Sequence, residues 1–164
     1  MRWKHGCRWM LLLTLFLAMV AVAVVLAQES AGASSSAASI PESRLIQPEA
    51  LAQLLKGGEK EKPVILQVGS RVMFAQAHIP GSDYAGPGSQ ASGIQSLENT
   101  VASLPKDRQL VLYCGCCPWS RCPNVGPAYK RLHDLGFTNV KVLYIANNFG
   151  DDWVNKGYPA VKGK

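Results

Sequence analysis

Three short apolar runs set what this chain can fold into, because helical-period segments lie between them. Val64-Ile65-Leu66-Gln67-Val68, Gln109 to Tyr113 and Val140-Lys141-Val142-Leu143-Tyr144 each read as strands. Pro48 at a helix start, Leu51, Leu54 and Leu55 at helical spacing, and Gly57-Gly58 as a stop predict a first helix. Ile94, Leu97, Val101 and Leu104 predict a second over Gly93 to Leu104. A third is expected from Pro123 or Asn124 to Leu135, closed by Gly136, with Pro127 in or near its first turn. Asp151 to Lys156 reads as a last short helix. Strand–helix alternation with short links argues for an α/β fold, a central parallel sheet with helices on both faces. Reactive groups in such folds lie beyond the carboxyl ends of the strands.

The N-terminus has the pattern of an export signal. Arg2, Lys4 and Arg8 precede an apolar run from Met10 to Leu26, and Val25-Leu26-Ala27 offers small residues for cleavage before Gln28. Residues 1–27 are therefore expected to be a signal peptide and the protein to be exported, periplasmic or extracellular. An uncleaved membrane anchor is the rival reading, since the run is near the lower limit of a spanning helix. Residues 28–39, rich in Ala, Ser and Gly, read as a flexible tether, and residues 40–164 as one domain. Cleavage would remove Cys7 and three of the 17 basic residues, leaving 14 against 11 acidic ones. No basic run remains, which argues against a nucleic-acid partner.

The remaining four cysteines fall within nine residues: Cys114, Cys116, Cys117 and Cys122, directly after the Gln109–Tyr113 strand. Nucleophilic catalysis, thiol–disulfide exchange and soft-metal binding all use such density, and structural disulfides are the plain alternative. Bridges this short would close small loops and stabilise little. Zinc sites usually draw ligand pairs from two distant places in the chain, whereas Cys-x-Cys-Cys suits copper(I). Copper(I) or zinc on Cys114, Cys116, Cys117 and Cys122 is the cofactor alternative; otherwise no cofactor is expected.

The chain resembles the rhodanese domain family over nearly all of residues 40–164. Val64–Val68 stands where that family has its first core strand. Phe74-Ala75-Gln76-Ala77-His78-Ile79-Pro80-Gly81-Ser82 is similar to its His-Ile-Pro-Gly segment, and Val111-Leu112-Tyr113-Cys114 to the strand delivering its active cysteine. Leu135-Gly136-Phe137, Trp153 and Gly157-Tyr158-Pro159 resemble its closing elements. The resemblance implies a three-layer rhodanese-like fold and a nucleophilic Cys114 that carries sulfane sulfur as a persulfide. It also implies a cradle of loop amides from Gly115 onward and the dipole of the following helix. Arg121 and Trp119 are candidates for contacting the donor, and Cys116, Cys117 and Cys122 for resolving the persulfide. A small sulfur donor, a thiol acceptor and a reducing partner protein would then be needed, and a membrane only if the signal stays uncleaved. His78 reads as a turn-ordering residue.

Three departures from the family pattern stand out. The usual Asp-Val-Arg after the first strand is Gln67-Val68-Gly69, the loop carries about five extra residues, and the insertion brings three further cysteines. A second register is open, because Cys116 and Arg121 enclose four residues, the family's own spacing. It would move the nucleophile two residues past the strand end, so Cys114 is preferred. No Cys–Arg pair in the loop has the five-residue spacing of the related phosphatases. The other readings are a non-catalytic soft-metal domain and a disulfide-braced interaction module.

Overall fold

A computed structural model describes residues 40–58 and 62–163. The signal and tether expectations, at residues 1–27 and 28–39, lie outside the described residues. Among those described, no helix is long and apolar enough to cross a membrane.

Five parallel strands form one sheet: β1 (Leu45–Ile46), β2 (Val64–Gln67), β3 (Asp83–Tyr84), β4 (Leu110–Tyr113) and β5 (Val140–Leu143), in the order β1-β5-β4-β2-β3. The three expected strands are its centre. In β4, whose four residues are all buried, Leu110 and Leu112 face one side and Val111 and Tyr113 the other. That alternation divides the core in two. Leu66, Leu110, Leu112 and Val142 pack beneath α3 (Ala91–Val101) and α4 (Val125–Asp134), through Leu97, Val101, Ala128 and Leu132. On the opposite face Ile65, Val111, Tyr113 and Leu143 meet Leu51 of α1 (Pro48–Leu54), Phe149 and Trp153. The layers are thus helix, sheet and helix, as expected.

Smaller elements escaped the sequence. The edge strands β1 and β3 have two residues each, too few for a periodic pattern. Helix α2 (Arg71–Gln76) is capped by the Ser70 side chain, which accepts the Val72 N–H, and buries only Phe74. The last helix is one π-type turn, Gly150–Val154, rather than Asp151 to Lys156. Its ring of Trp153 is buried and donates to the Pro159 carbonyl at 2.8 Å.

Candidate functional site

Strand β4 delivers Cys114 to the carboxyl edge of the sheet, where only 3 % of it is exposed. The end of the neighbouring strand β2 holds it there. The Gln67 carboxamide, at the end of β2, donates to the Cys114 carbonyl oxygen at 2.8 Å and accepts the Gly69 N–H at 3.1 Å. A Cβ on Gly69 would lie 2.8 Å from both the carbonyl oxygen and the Sγ of Cys114. Gln67 and Gly69 are therefore a fitted pair of residues against the cysteine, one binding it and the other making room for it.

The preceding residue, Tyr113, points to the other face. Its hydroxyl accepts the Ile79 N–H at 3.3 Å and lies 3.3 Å from Ser82 Oγ, while burial pushes its pKa up to about 12. This ties the His78–Ser82 segment to the end of β4. His78 itself is buried, stacks on Phe74 at 3.9 Å and donates from Nδ1 to the Phe74 carbonyl at 2.8 Å. It orders the end of α2, as the turn reading expected.

The enlarged loop is folded back on the domain. Gly115 turns the chain at φ +92°, a conformation that favours glycine, and its carbonyl accepts the Phe149 N–H at 3.0 Å. Trp119–Arg121 forms a single 3-10 turn whose Trp119 N–H donates to the Ile145 carbonyl at 2.9 Å. The Trp119 ring is half-buried and lies 6.5 Å from that of Tyr144. Arg121 is exposed. Cys122 then returns to the core, 1 % exposed, immediately before α4.

These turns gather the sulfurs. Cys114 Sγ lies 3.2 Å from Cys116 Sγ, which lies 3.1 Å from Cys117 Sγ. The sulfurs of Cys114, Cys116 and Cys122 are all within 4.8 Å of one another. Cys117 is half-buried against the core on the α3–α4 side. All four are thiols, with Cys116 exposed.

Asn124 was legible only as the end of the loop, yet it completes the site. Buried before α4, it donates from Nδ2 to Cys114 Sγ at 3.3 Å. Its Oδ1 accepts the Ser89 N–H at 3.0 Å and the Ser89 hydroxyl at 2.8 Å, which fixes the orientation of the carboxamide.

Charge at the site is uneven. The Cys122 thiol, helped by the amide and thiol of Cys116 and by Asn124, lowers the Cys114 pKa to about 6 against the opposing effect of burial. The same contact with Cys114, together with burial, pushes the Cys122 thiol far up, and burial with two thiol neighbours raises Cys116. One sulfur is thus ionised at neutral pH and its neighbours are protonated donors. That is the electronic arrangement of a single nucleophile. A cavity of about 200 Å³ opens against Cys114, between Gln67, Met73, Gln76, Tyr113 and Phe149. Gly115 also lines it, whereas Trp119 and Arg121 do not.

Comparisons with known proteins bear on the family and the fold. The model of the rhodanese-like domain family matches residues 47–144. Among solved structures, a Bacillus halodurans protein is 22% identical, with a TM-score of 0.57, covering 73% of this chain and 77% of its own. A crystal structure of an Anabaena protein is 24% identical, with a TM-score of 0.55, over 72% of this chain and 92% of its own. The solution structure of a Helicobacter pylori protein is 16% identical at a TM-score of 0.51, covering 76% and 94%. At these identities the structures speak for the fold. No curated protein sequence matches the chain significantly.

Proposed function

The chain belongs to the rhodanese-like domain family, and from that premise we propose that it is an exported sulfurtransferase or sulfur carrier working through Cys114. The observation that carries this reading is the Cys114 sulfur at the end of β4, hydrogen-bonded by Asn124 and facing an open cavity, with neighbours that lower its pKa. In the first step the Cys114 thiolate attacks the outer sulfur of a donor R–S–SH. A Cys114–S–SH bond forms, the donor S–S bond breaks, and R–S⁻ leaves with the electron pair. An acceptor thiolate then attacks the outer sulfur, carries it away as a new persulfide and restores the Cys114 thiolate.

The 3.2 Å separation of Cys114 and Cys116 supports a second exit. The persulfide gives up its proton to solvent, and the Cys116 thiol attacks its inner sulfur while passing its own proton to the departing outer sulfur. A Cys114–Cys116 disulfide forms, HS⁻ is released, and the sulfane sulfur is reduced as the cysteine pair is oxidised. Resetting that disulfide needs two electrons from an external dithiol, which is the role of a reducing partner protein. Export, argued from residues 1–27, places the exchange where disulfides persist.

The test is the intact mass of the reduced protein after exposure to a hydropersulfide donor. A gain of about 32 Da on wild type that is absent in Cys114→Ser supports the carrier. Without that gain, or with an equal gain in Cys114→Ser, the proposal falls. In Cys116→Ser the adduct should accumulate, because its internal exit is closed.

A further inference from the structure

We propose that Cys114, Cys116 and Cys122 form a three-thiolate site for copper(I), with Cys117 outside it. The inference stands apart from sulfur transfer, although both use the Cys114 sulfur.

The geometry selects three of the four cysteines. Ligands at about 2.3 Å from an ion, the usual metal–thiolate distance, lie about 4.0 Å apart in a trigonal plane. The three sulfurs of Cys114, Cys116 and Cys122 already fall within 4.8 Å of one another. Small side-chain rotations would bring them to that spacing. Cys117 is not part of the group and packs on the core instead. Among the described residues, the group contains no histidine or carboxylate.

The donor set decides the metal. Structural zinc takes four ligands in a tetrahedron, and catalytic zinc keeps a water in the fourth place. Among the described residues the group offers three sulfurs and no fourth protein ligand to close a tetrahedron. All-sulfur, low-coordinate surroundings instead suit soft, monovalent copper. Burial on two sides and exposure on the third also give a path of entry. The exposed Cys116 meets the ion first and hands it inward to Cys114 and Cys122. Coordination releases the remaining thiol protons to solvent and leaves the copper in its +1 state, so no oxidant or reductant enters the step.

The test titrates reduced, full-length protein with copper(I) against a chromogenic copper(I) chelator, with zinc(II) in parallel. One copper per chain, three sulfur neighbours by X-ray absorption, and wild-type affinity in Cys117→Ser are expected. Cys122→Ser should lose at least about tenfold in affinity; Cys116→Ser, at an exposed position, supplies the same reading if Cys122→Ser does not fold. Two sulfur neighbours, equal weakening in Cys117→Ser, preferential zinc binding, or no copper retained against the chelator would each overturn the site. A failed copper titration beside an intact persulfide adduct on the same preparation would sink this inference and leave the sulfur-transfer reading standing.

Discussion

A methyl group on Gly69 would lie 2.8 Å from Cys114 Sγ, closer than carbon and sulfur can approach, and equally close to the Cys114 carbonyl oxygen. Both obstacles belong to a residue held by its strand and by Gln67, so relief must come from displacing Cys114 itself. Gly69→Ala is expected to destabilise the domain by about 1–3 kcal/mol, the range for overpacking a filled site. It should also slow sulfur loading. Urea unfolding of reduced protein and the rate of adduct formation measure the two effects. Wild-type values for both would show that the cysteine has slack.

Gln67 is expected to resist replacement by its own acid. Its amide donates to the Cys114 carbonyl, so a carboxylate in Gln67→Glu would set two acceptors face to face at 2.8 Å. The loss should be about 1–3 kcal/mol, the cost of a buried group without its partner. Protonation would return a donor to that position, so the variant should recover part of its stability as pH falls. Unfolding series at two pH values check this, and a pH-independent deficit would count against the hydrogen bond as its cause.

The large pattern of this fold was readable because its central strands are apolar on both faces and its main helices repeat at helical spacing. Leu66, Leu112 and Val142 are in the core for that reason. The two-residue edge strands carry no such period. Cys114 was legible through its place after β4. Gln67 and Gly69 were visible only as departures from a family pattern, because their meaning lies in a residue 47 positions from Gln67 that the sheet brings beside it. Nothing in the sequence marked Asn124 as a partner of the Cys114 sulfur. Its role depends on Ser89, 35 residues away, turning the carboxamide.

Asn124→Asp should preserve the acceptor for Ser89 while removing the donor to Cys114. A carboxylate would then face the thiolate in place of an N–H at 3.3 Å. Hydrogen bonds to charged groups contribute about 1.5–3 kcal/mol, so loading should slow by about tenfold to a hundredfold. The pH at which Cys114 is alkylated should rise as well. A variant slowed in loading with an unchanged alkylation profile would assign Asn124 to packing alone.

Alkylation of Cys114 by iodoacetamide is expected to be half-maximal near pH 6 in metal-free protein, because its pKa is lowered to about 6. Cys122→Ala removes the largest cause and should move the midpoint upward. The sign for stability follows from linkage. Between about pH 6 and the ordinary thiol value of 9.0, the folded form holds fewer protons at Cys114 than the unfolded chain. This residue's contribution is therefore complete above that ordinary value and is lost as pH falls through about 6. The raised Cys116 and Cys122 thiols act oppositely, their stabilisation declining above the ordinary thiol pKa. Peptide-resolved alkylation across pH separates the sites, and a Cys114 midpoint at the ordinary value would contradict the thiolate.

The cavity against Cys114 makes a prediction about the donor. Apart from the Cys114 thiolate, none of its lining residues is charged: polar groups come from Gln67, Gln76 and Asn148, and apolar surface from Met73, Phe149 and Val154. An anion with two charges, such as thiosulfate, would leave water there for no cationic partner, and uncompensated desolvation of charge is costly. The exposed Arg121 does not line this space. A hydropersulfide carries one charge at most, and an organic group on it would rest on Met73 and Phe149. Alkyl hydropersulfides should therefore exceed thiosulfate in kcat/KM by about tenfold or more, the equivalent of about 1.4 kcal/mol in the barrier. Gln76→Arg, which adds a cation to the lining, should narrow that ratio chiefly by improving thiosulfate. Should thiosulfate already be the better donor for wild type, an anion site outside this cavity must supply the charge, and the cavity would not be where the donor binds.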